Sequence, residues 1–172
     1  MYFINVVQGS FHQGNEKFGE TAGRQCTCCS LFSVAFNLVK TPGYWDRKDL
    51  DFILNNGDRI YKALNTNRYL MVPELPCSFE LFESQVVQVD FKTNKFGFIN
   101  SHSDPGSLLD QNVSSSDANG ILLLLQGLCV SIIWTRRHYF LFDSHSKNEK
   151  GESIPEGFSI LLKFNSINRS LS

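Results

Sequence analysis

The 172-residue sequence predicts a single α+β domain covering residues 1–172, with helices in its first half and a mostly antiparallel sheet after them. Two observations support this fold class. Residues 28–64 contain apolar runs with helical spacing, whereas residues 85–164 contain short apolar or alternating runs separated by turn residues. Helices that precede a group of strands, rather than alternating with them, are typical of an α+β fold.

The first elements flank a glycine-rich loop. Residues 2–7 (YFINVV) are predicted to form a strand, and the polar stretch from Gln8 to Gln25 is predicted to form a loop. The run CCSLFSVAFNLV (28–39) is apolar nearly all round, so it predicts a helix buried at the centre of the domain. We expect Pro42-Gly43 to end this helix.

Residues 46–64 have the clearest helical pattern, with Asp46 as a suitable N-cap. Asn56 and Gly57 are poor helix formers, so this stretch is open to a break into two helices at that point. The apolar residues that recur at helical spacing are Leu50, Ile53, Leu54, Ile60 or Tyr61, and Leu64.

The strand pattern begins at residues 85–91 (QVVQVDF), where apolar and polar residues alternate. This strand is predicted to pair with residues 95–99 (KFGFI) through a turn at Thr93-Asn94. Residues 101–119 are rich in Ser, Asp, Asn and Gly, and they predict a mobile surface loop.

The remaining sequence predicts three more strands. Residues 121–125, which precede them, fit either a short helix capped by Asp117 or a buried strand. A tight turn at Arg136-Arg137 is expected to join the first two strands. The three strands are LCVSIIW (128–134), YFLFDSH (139–145) and FSILLKF (158–164).

Composition excludes several classes of function. A net charge of −1 and a pI near 6.4 give no basic surface for nucleic acid and no cationic face for a membrane. The longest apolar run, ILLLLQGLCVSIIW, is too short for a membrane span and contains Gln126 and Gly127. The five cysteines are odd in number and clustered, which indicates a reducing compartment, so we expect a cytoplasmic or nuclear protein.

Three of the cysteines lie within four positions, at Cys26, Cys28 and Cys29. Cys26 and Cys29 form the C-x-x-C half of a zinc site, but Cys77 and Cys129 lie too far apart to form the second half. We therefore expect no metal and no cofactor. Cys28 and Cys29 fit small apolar residues of a buried helix.

Cys26 differs because it stands where the loop becomes a helix, and free N–H groups and the helix dipole stabilise a thiolate there. A nucleophilic cysteine also needs a general base and an oxyanion hole. The hole would combine the Cys26 N–H with a side-chain amide. Gln8, Gln13 and Gln25 all lie upstream, and spacing alone does not choose among them.

A histidine is the expected base. His12 and His102 lie in predicted loops, whereas His138 and His145 bracket a strand at an odd spacing that puts them on opposite faces. Asp143 shares a face with His145, and a carboxylate beside an imidazole can orient it. The D-x-H pattern is weak by itself, because a solvated strand end gives the same pattern.

Three blocks of the sequence carry a family resemblance: QGNEKFGETAGRQCTCCSLFSVAF, YWDRKDLDFILNNGDRIY, and HYFLFDSHSKN with GFSILLKF. Together they resemble the deubiquitinating domain at the N-terminus of herpesvirus large tegument proteins. The resemblance extends from Gln13 to Phe164 and is specific because the blocks occur in the same order. Residues 66–119 show little that matches the family.

This resemblance implies a papain-like cysteine peptidase that cleaves after the C-terminal Gly-Gly of ubiquitin. It implies Cys26 as nucleophile, His145 as general base, Asp143 as the residue that orients the base, and Gln13 as the oxyanion donor. Ubiquitin or polyubiquitin chains would be the partner of a monomeric enzyme. The family usually has Ser and Asn where this chain has Cys28 and Cys29, which leaves the catalytic roles unchanged.

Further motif positions are expected to cap and pack the second helix rather than to react. They are Trp45, Asp49, Asp51 and Asp58. Two other functions fit the same residues. One is a peptidase for another ubiquitin-like modifier, or a thiol acyltransferase. The other is a non-catalytic ubiquitin-binding module.

Overall fold

The computed structural model describes residues 5–91, 118–136 and 138–165. The α-helices are α1 (Cys26–Phe36) and α2 (Arg47–Ala63), and short 3-10 turns occur at Glu16–Thr21, Pro42–Tyr44 and Val72–Glu74. The strands are β1 (Asn5–Gln8), β2 (Ser78–Phe82), β3 (Gln85–Gln88), β4 (Ile121–Leu125), β5 (Leu128–Trp134), β6 (His138–Lys147) and β7 (Phe158–Asn165). None of the helices in these ranges is long and apolar enough to cross a membrane.

The main sheet has the strand order β1-β7-β6-β5-β4, and every neighbouring pair is antiparallel. Strands β2 and β3 form a separate antiparallel hairpin. The α+β prediction is therefore confirmed, as are the strands predicted at residues 128–134, 139–145 and 158–164. Strand β1 pairs with β7, the last strand of the chain. The loop that follows β1 therefore begins beside β7.

Helix α1 packs against β5 and β6 at the centre of the domain. Every residue of α1 except Val34 is buried, as its all-round apolar sequence predicts. The helix ends at Phe36 rather than at Pro42-Gly43. Leu38 and Val39 are 56% and 55% exposed, so the burial that stabilises α1 stops with Phe36.

Helix α2 begins with a reciprocal cap. The Asp46 carboxylate accepts the backbone N–H groups of Lys48 and Asp49, and the Asp49 carboxylate accepts the N–H of Asp46 at 2.7 Å. The predicted N-cap is confirmed. The capping role expected for Asp49 is present too.

The break that the sequence left open at Asn56-Gly57 does not occur, and helix α2 is continuous from Arg47 to Ala63. A Cβ atom on residue 57 would lie 2.5 Å from Sγ and 2.6 Å from Cα of Cys29. The glycine is therefore explained by the close approach of α1 to α2 rather than by a helix end.

Residues 121–125 form strand β4, not a helix. Gln126 and Gly127 join β4 to β5 in a two-residue turn, and Leu125 pairs with Leu128 across it. Both turn residues have positive φ, 50° and 82°, as a type I′ hairpin turn requires. Asp117, which would have capped a helix, lies outside the described residues.

Strand β3 of the smaller hairpin pairs with β2, a strand that the sequence analysis did not identify. Strand β3 covers Gln85–Gln88 of the predicted 85–91. The alternation in SFELF, which partly or fully buries Phe79 and Leu81, was the available signal for β2. The predicted partner at 95–99 and most of the loop predicted at 101–119 lie outside the described residues.

Candidate active site

Cys26 is the first residue of α1, directly after the glycine-rich loop. The first hydrogen bond of the helix runs from the Cys29 N–H to the Gln25 carbonyl at 2.9 Å. The N–H groups of Cys26, Thr27 and Cys28 thus have no acceptor within the helix. The positive end of the helix and these free donors lie beside the Cys26 thiol, which favours a thiolate.

Asp143 and His145 lie near the end of β6, and they are in direct contact. The Oδ1 atom of Asp143 accepts the backbone N–H of His145 at 2.9 Å and lies 2.6 Å from Nδ1 of its ring. The other ring nitrogen, Nε2, is buried and has no hydrogen-bond partner in the described part of the chain. The carboxylate therefore fixes the ring through Nδ1 and leaves Nε2 for proton transfer.

The predicted nucleophile, base and orienting residue are close enough to shift one another's pKa. Burial raises the pKa of Cys26, but the side chain of His145, the backbone of Cys129 and the His145 charge outweigh it, so that this pKa is lowered. Burial lowers the pKa of His145, but Asp143 and Cys26 raise it to about 9. Burial also raises the pKa of Asp143, yet its contacts with His145 and the charge of Lys147 lower it overall. The pKa shifts of Cys26 and His145 both act in the direction of a thiolate–imidazolium pair.

The other buried thiols have the opposite electrostatic environment. Burial raises the pKa of Cys28 and of Cys129 to about 12, and it raises the pKa of Cys29 well above the ordinary value. Cys28 and Cys29 are fully buried, as the sequence predicts for core residues. Within the described ranges, no group of three or more His, Cys, Asp or Glu residues is arranged to hold a metal ion.

Gln13 lies in the loop before α1 and is fixed by contacts at both its backbone and its side chain. Its N–H donates to the Ser144 carbonyl at 2.8 Å, and its carbonyl accepts the Gly23 N–H at 3.0 Å. Its side-chain Oε1 accepts the Ser144 hydroxyl at 3.3 Å. Since Ser144 lies between Asp143 and His145, these contacts place Gln13 beside the part of β6 that carries the predicted base and its orienting residue.

The other two glutamines occupy different environments. Gln8 ends β1, and its side chain lines an open surface cavity together with Arg47 and Glu149. Gln25 is fully buried, and its Nε2 donates to the Gln13 carbonyl at 3.1 Å. The Gln25 amide is thus engaged with the backbone, because its Oε1 also accepts the Arg24 N–H at 2.9 Å.

Helix α2 anchors the same loop, a function that the sequence pattern did not reveal. Asp51 Oδ1 accepts the backbone N–H of Ser10 at 2.7 Å. The buried carboxylate of Asp58 accepts the Thr21 hydroxyl and pairs with Lys62 at 2.6 Å. Two of the four motif residues assigned to capping and packing thus fix both ends of the loop that carries Gln13.

A further cation contacts the predicted orienting residue. Lys147 Nζ lies 3.4 Å from Oδ2 of Asp143 and donates to Ser153 Oγ at 2.9 Å. The two carboxylate oxygens of Asp143 are thus divided between His145 and Lys147. The lysine follows the D-S-H-S motif directly, but no spacing rule indicated its contact.

The remaining histidines lie elsewhere. His12 accepts the Gly14 N–H at Nδ1, and burial, followed by the charge of His145, lowers the His12 pKa. His138 begins β6, at the end of the strand opposite to His145. The register of β6 with β7 is irregular between Asp143 and Lys147, so strict alternation does not extend from one histidine to the other. His102 lies outside the described residues.

Comparison with known proteins gives consistent results. Residues 8–172 match the family described as the herpesvirus tegument protein, N-terminal conserved region. The chain is 25% identical over 166 residues to the large tegument protein deneddylase of human cytomegalovirus, strain AD169, and equally to that of strain Merlin. Each match covers 85% of this chain and 7% of the relative, so the chain spans a small part of those proteins.

A solved structure shares the fold. It is the ubiquitin-specific protease encoded by murine cytomegalovirus tegument protein M48, in complex with a ubiquitin-based suicide substrate. The TM-score is 0.75 at 16% sequence identity, and the match covers 96% of this chain and 75% of that one. The papain-like α+β fold predicted from the sequence is therefore confirmed.

Proposed function

Because the chain belongs to the family of the herpesvirus tegument protein N-terminal conserved region, we propose that it is a cysteine-type deubiquitinase. It would hydrolyse isopeptide or peptide bonds after the C-terminal Gly-Gly of ubiquitin. The observation that carries this proposal is the contact of Asp143 with His145, with the free Nε2 of that ring serving the helix-terminal thiol of Cys26. A module that only binds ubiquitin has no need for these three groups together.

The reaction proceeds through a thioester. Cys26 Sγ attacks the carbonyl carbon of the terminal glycine, and the Cys26 N–H and the Gln13 amide donate to the oxyanion that forms. The C–N bond then breaks, and His145 gives its proton to the leaving amine. Water, deprotonated by His145, attacks the thioester and releases the carboxylate of ubiquitin and the free Cys26 thiol.

Asp143 keeps its negative charge through these steps. Its Oδ1 contact holds the ring so that Nε2 exchanges the proton, and its charge stabilises the imidazolium before the amine leaves. The described residues thus supply a nucleophile, a base and an acid, and water is the co-reactant.

The test is a ubiquitin probe with a C-terminal electrophile, followed by mapping of the adduct by mass spectrometry. We expect one adduct, at Cys26, and none with Cys26→Ala. Cys77→Ser is the matched control, because Cys77 is exposed and any unspecific thiol reaction would occur there. Absence of an adduct, or an adduct at Cys77 in place of Cys26, would contradict the proposal.

The names of two relatives suggest a second modifier as an alternative substrate. The cytomegalovirus relatives are named deneddylases, so cleavage after the ubiquitin-like protein NEDD8 is the alternative activity. Equal amounts of ubiquitin and NEDD8 probes, supplied together, would show which modifier reacts faster with Cys26. We expect the ubiquitin adduct to predominate.

We also propose that the enzyme acts in the cytoplasm or nucleus. All five cysteines are free, and a low-pKa thiol such as Cys26 needs a reducing environment to stay active. Fluorescence microscopy of the tagged protein in cells would test this location, and accumulation in a secretory compartment would contradict it.

A further inference from the structure

Ser144 lies between the predicted orienting residue and the predicted base, and its side chain contacts neither. It is fully buried in β6. Its hydroxyl donates to Oε1 of Gln13 at 3.3 Å, and its carbonyl accepts the Gln13 N–H at 2.8 Å. The residue between Asp143 and His145 therefore connects the catalytic strand to the candidate oxyanion donor.

The contacts of Gln13 divide into two kinds. Three of them fix its backbone, from the Ser144 carbonyl, the Gly23 N–H and the Gln25 amide. Within the described residues its side-chain amide has a single contact, the Ser144 hydroxyl. Loss of that hydroxyl would leave the loop in place and release only the amide.

We propose that Ser144 is a positioning residue, which holds the Gln13 amide by its oxygen so that the amide N–H is presented to the oxyanion. This inference rests on the proposed function, because it assigns a task in the same reaction. An amide oxygen that has no donor in a buried site leaves its position to find one, since an unsatisfied buried acceptor is costly. The Ser144 hydroxyl donates to this oxygen and so keeps the Gln13 amide in place.

Two kinetic measurements separate positioning from a general effect on β6. The first is kcat and KM for a fluorogenic ubiquitin C-terminal amide. The second is the rate at which iodoacetamide alkylates Cys26. Alkylation needs the thiolate, and hence His145, but it forms no oxyanion, so it reports only on the nucleophile and its base.

We expect Ser144→Ala to lower kcat about tenfold, the equivalent of one ordinary hydrogen bond, with KM and the alkylation rate within about twofold of the parent. Ser131→Ala is the matched control. Ser131 is equally buried on the adjacent β5 and contacts Ser33 Oγ at 2.5 Å, so its loss should leave kcat unchanged. A tenfold loss of both kcat and the alkylation rate in Ser144→Ala would indicate a disturbed β6 and overturn the inference.

A double-mutant cycle with Gln13→Ala provides the second test. Once Gln13 has no amide, Ser144→Ala should have no further effect on kcat. A further tenfold loss in that background would show that Ser144 acts without Gln13 and would overturn the inference. Ser144→Cys, which keeps the volume and has a weaker donor, is used if Ser144→Ala does not fold. Parent kcat in a folded variant, whether Ser144→Ala or Ser144→Cys, would also overturn it.

Failure of the proposed function is distinguishable from failure of this inference. If the parent protein neither hydrolyses the ubiquitin substrate nor reacts with the probe at Cys26, the deubiquitinase assignment is wrong. If the parent does both and Ser144→Ala retains its full kcat, only the role of Ser144 is wrong.

Discussion

One carboxylate oxygen of Asp143 contacts His145 at two nitrogen atoms, the backbone N–H at 2.9 Å and ring Nδ1 at 2.6 Å. The first contact sets the turn of the chain between the two residues, and the second sets the orientation of the ring. Both are local, because the residues are two positions apart. Orientation and charge stabilisation of the base therefore depend on one side chain.

Asp143→Asn should lower activity less than His145→Ala and should change its pH dependence. The pKa of His145 is raised to about 9, with the Asp143 hydrogen bond as the largest contribution that raises it. The parent should therefore lose activity above about pH 9, where the imidazolium loses its proton. Without the carboxylate this pKa falls, so the alkaline limb moves to lower pH.

A profile of kcat/KM between about pH 6 and 10 measures both limbs as apparent values of the coupled pair. Asp90→Asn, at an exposed carboxylate, is the control. An alkaline limb that stays in place in Asp143→Asn would show that Asp143 does not support the charged ring.

His145→Ala should lower kcat by about 10²–10⁴, the usual contribution of a general acid–base group. His138→Ala should stay within about twofold, because the two residues are seven positions apart along β6, which is a rise of about 23 Å. Steady-state kinetics with the same ubiquitin substrate checks both variants. The reverse order of damage would mean that His138 is the base.

Alkylation should select Cys26 at about pH 6.5. Its pKa is lowered, while burial raises the pKa of Cys28 and Cys129 to about 12, and only the thiolate reacts. Tandem mass spectrometry of the peptide that contains Cys26, Cys28 and Cys29 locates the label. A Cys77→Ser background removes the exposed thiol. Labelling of Cys28 ahead of Cys26 would contradict the assigned nucleophile.

Gly57→Ala should destabilise the fold. The added Cβ would lie 2.5–2.8 Å from atoms of Cys29, so α1 and α2 must separate. Overpacking of this kind costs about 2 kcal/mol, which lowers Tm by roughly 4–8 °C for a chain of this length. Gly43→Ala is the control, since its nearest neighbour, Phe140 Cζ, lies at an ordinary 3.6 Å. Equal Tm values for the two variants would contradict the close approach.

The sequence predicted those parts of the site that depend on neighbouring residues. Cys26 at a loop-to-helix junction and Asp143 two positions before His145 are local patterns, and the structure brings these residues together. The contact of Ser144 with Gln13 joins residues 131 positions apart, so no local rule indicates it. The catalytic roles assigned to these site residues stay predictions until the variants are measured.

Gly57 shows why local propensity could not decide whether the second helix breaks. A glycine inside a helical pattern is unfavourable by itself. Here the cost is offset by the approach of Cys29, a tertiary contact that becomes visible only when α1 and α2 are packed together. Asp51 and Asp58 are similar, because their partners Ser10 and Thr21 lie in the loop and not on the helix.

The last prediction concerns Gln13, whose amide is proposed to donate to the oxyanion beside the Cys26 N–H. Such a donor acts mainly in the transition state, so Gln13→Ala should lower kcat more than it raises KM. Loss of one oxyanion donor costs on the order of 10²–10³ in rate. The backbone contacts of residue 13 with Ser144 and Gly23 remain, so the variant should fold.

Gln13→Glu should be worse than Gln13→Ala. The carboxylate still accepts the Ser144 hydroxyl and so stays in position, but it places a negative charge where the oxyanion forms. Gln8→Ala is the clean control, because Gln8 lies at the end of β1 and lines a surface cavity. Gln25→Ala is not a neutral control, because it removes the 3.1 Å hydrogen bond to the Gln13 carbonyl. We expect its kcat to lie between those of the parent and of Gln13→Ala. A normal kcat for Gln13→Ala together with a collapsed kcat for Gln25→Ala would transfer the oxyanion role to Gln25.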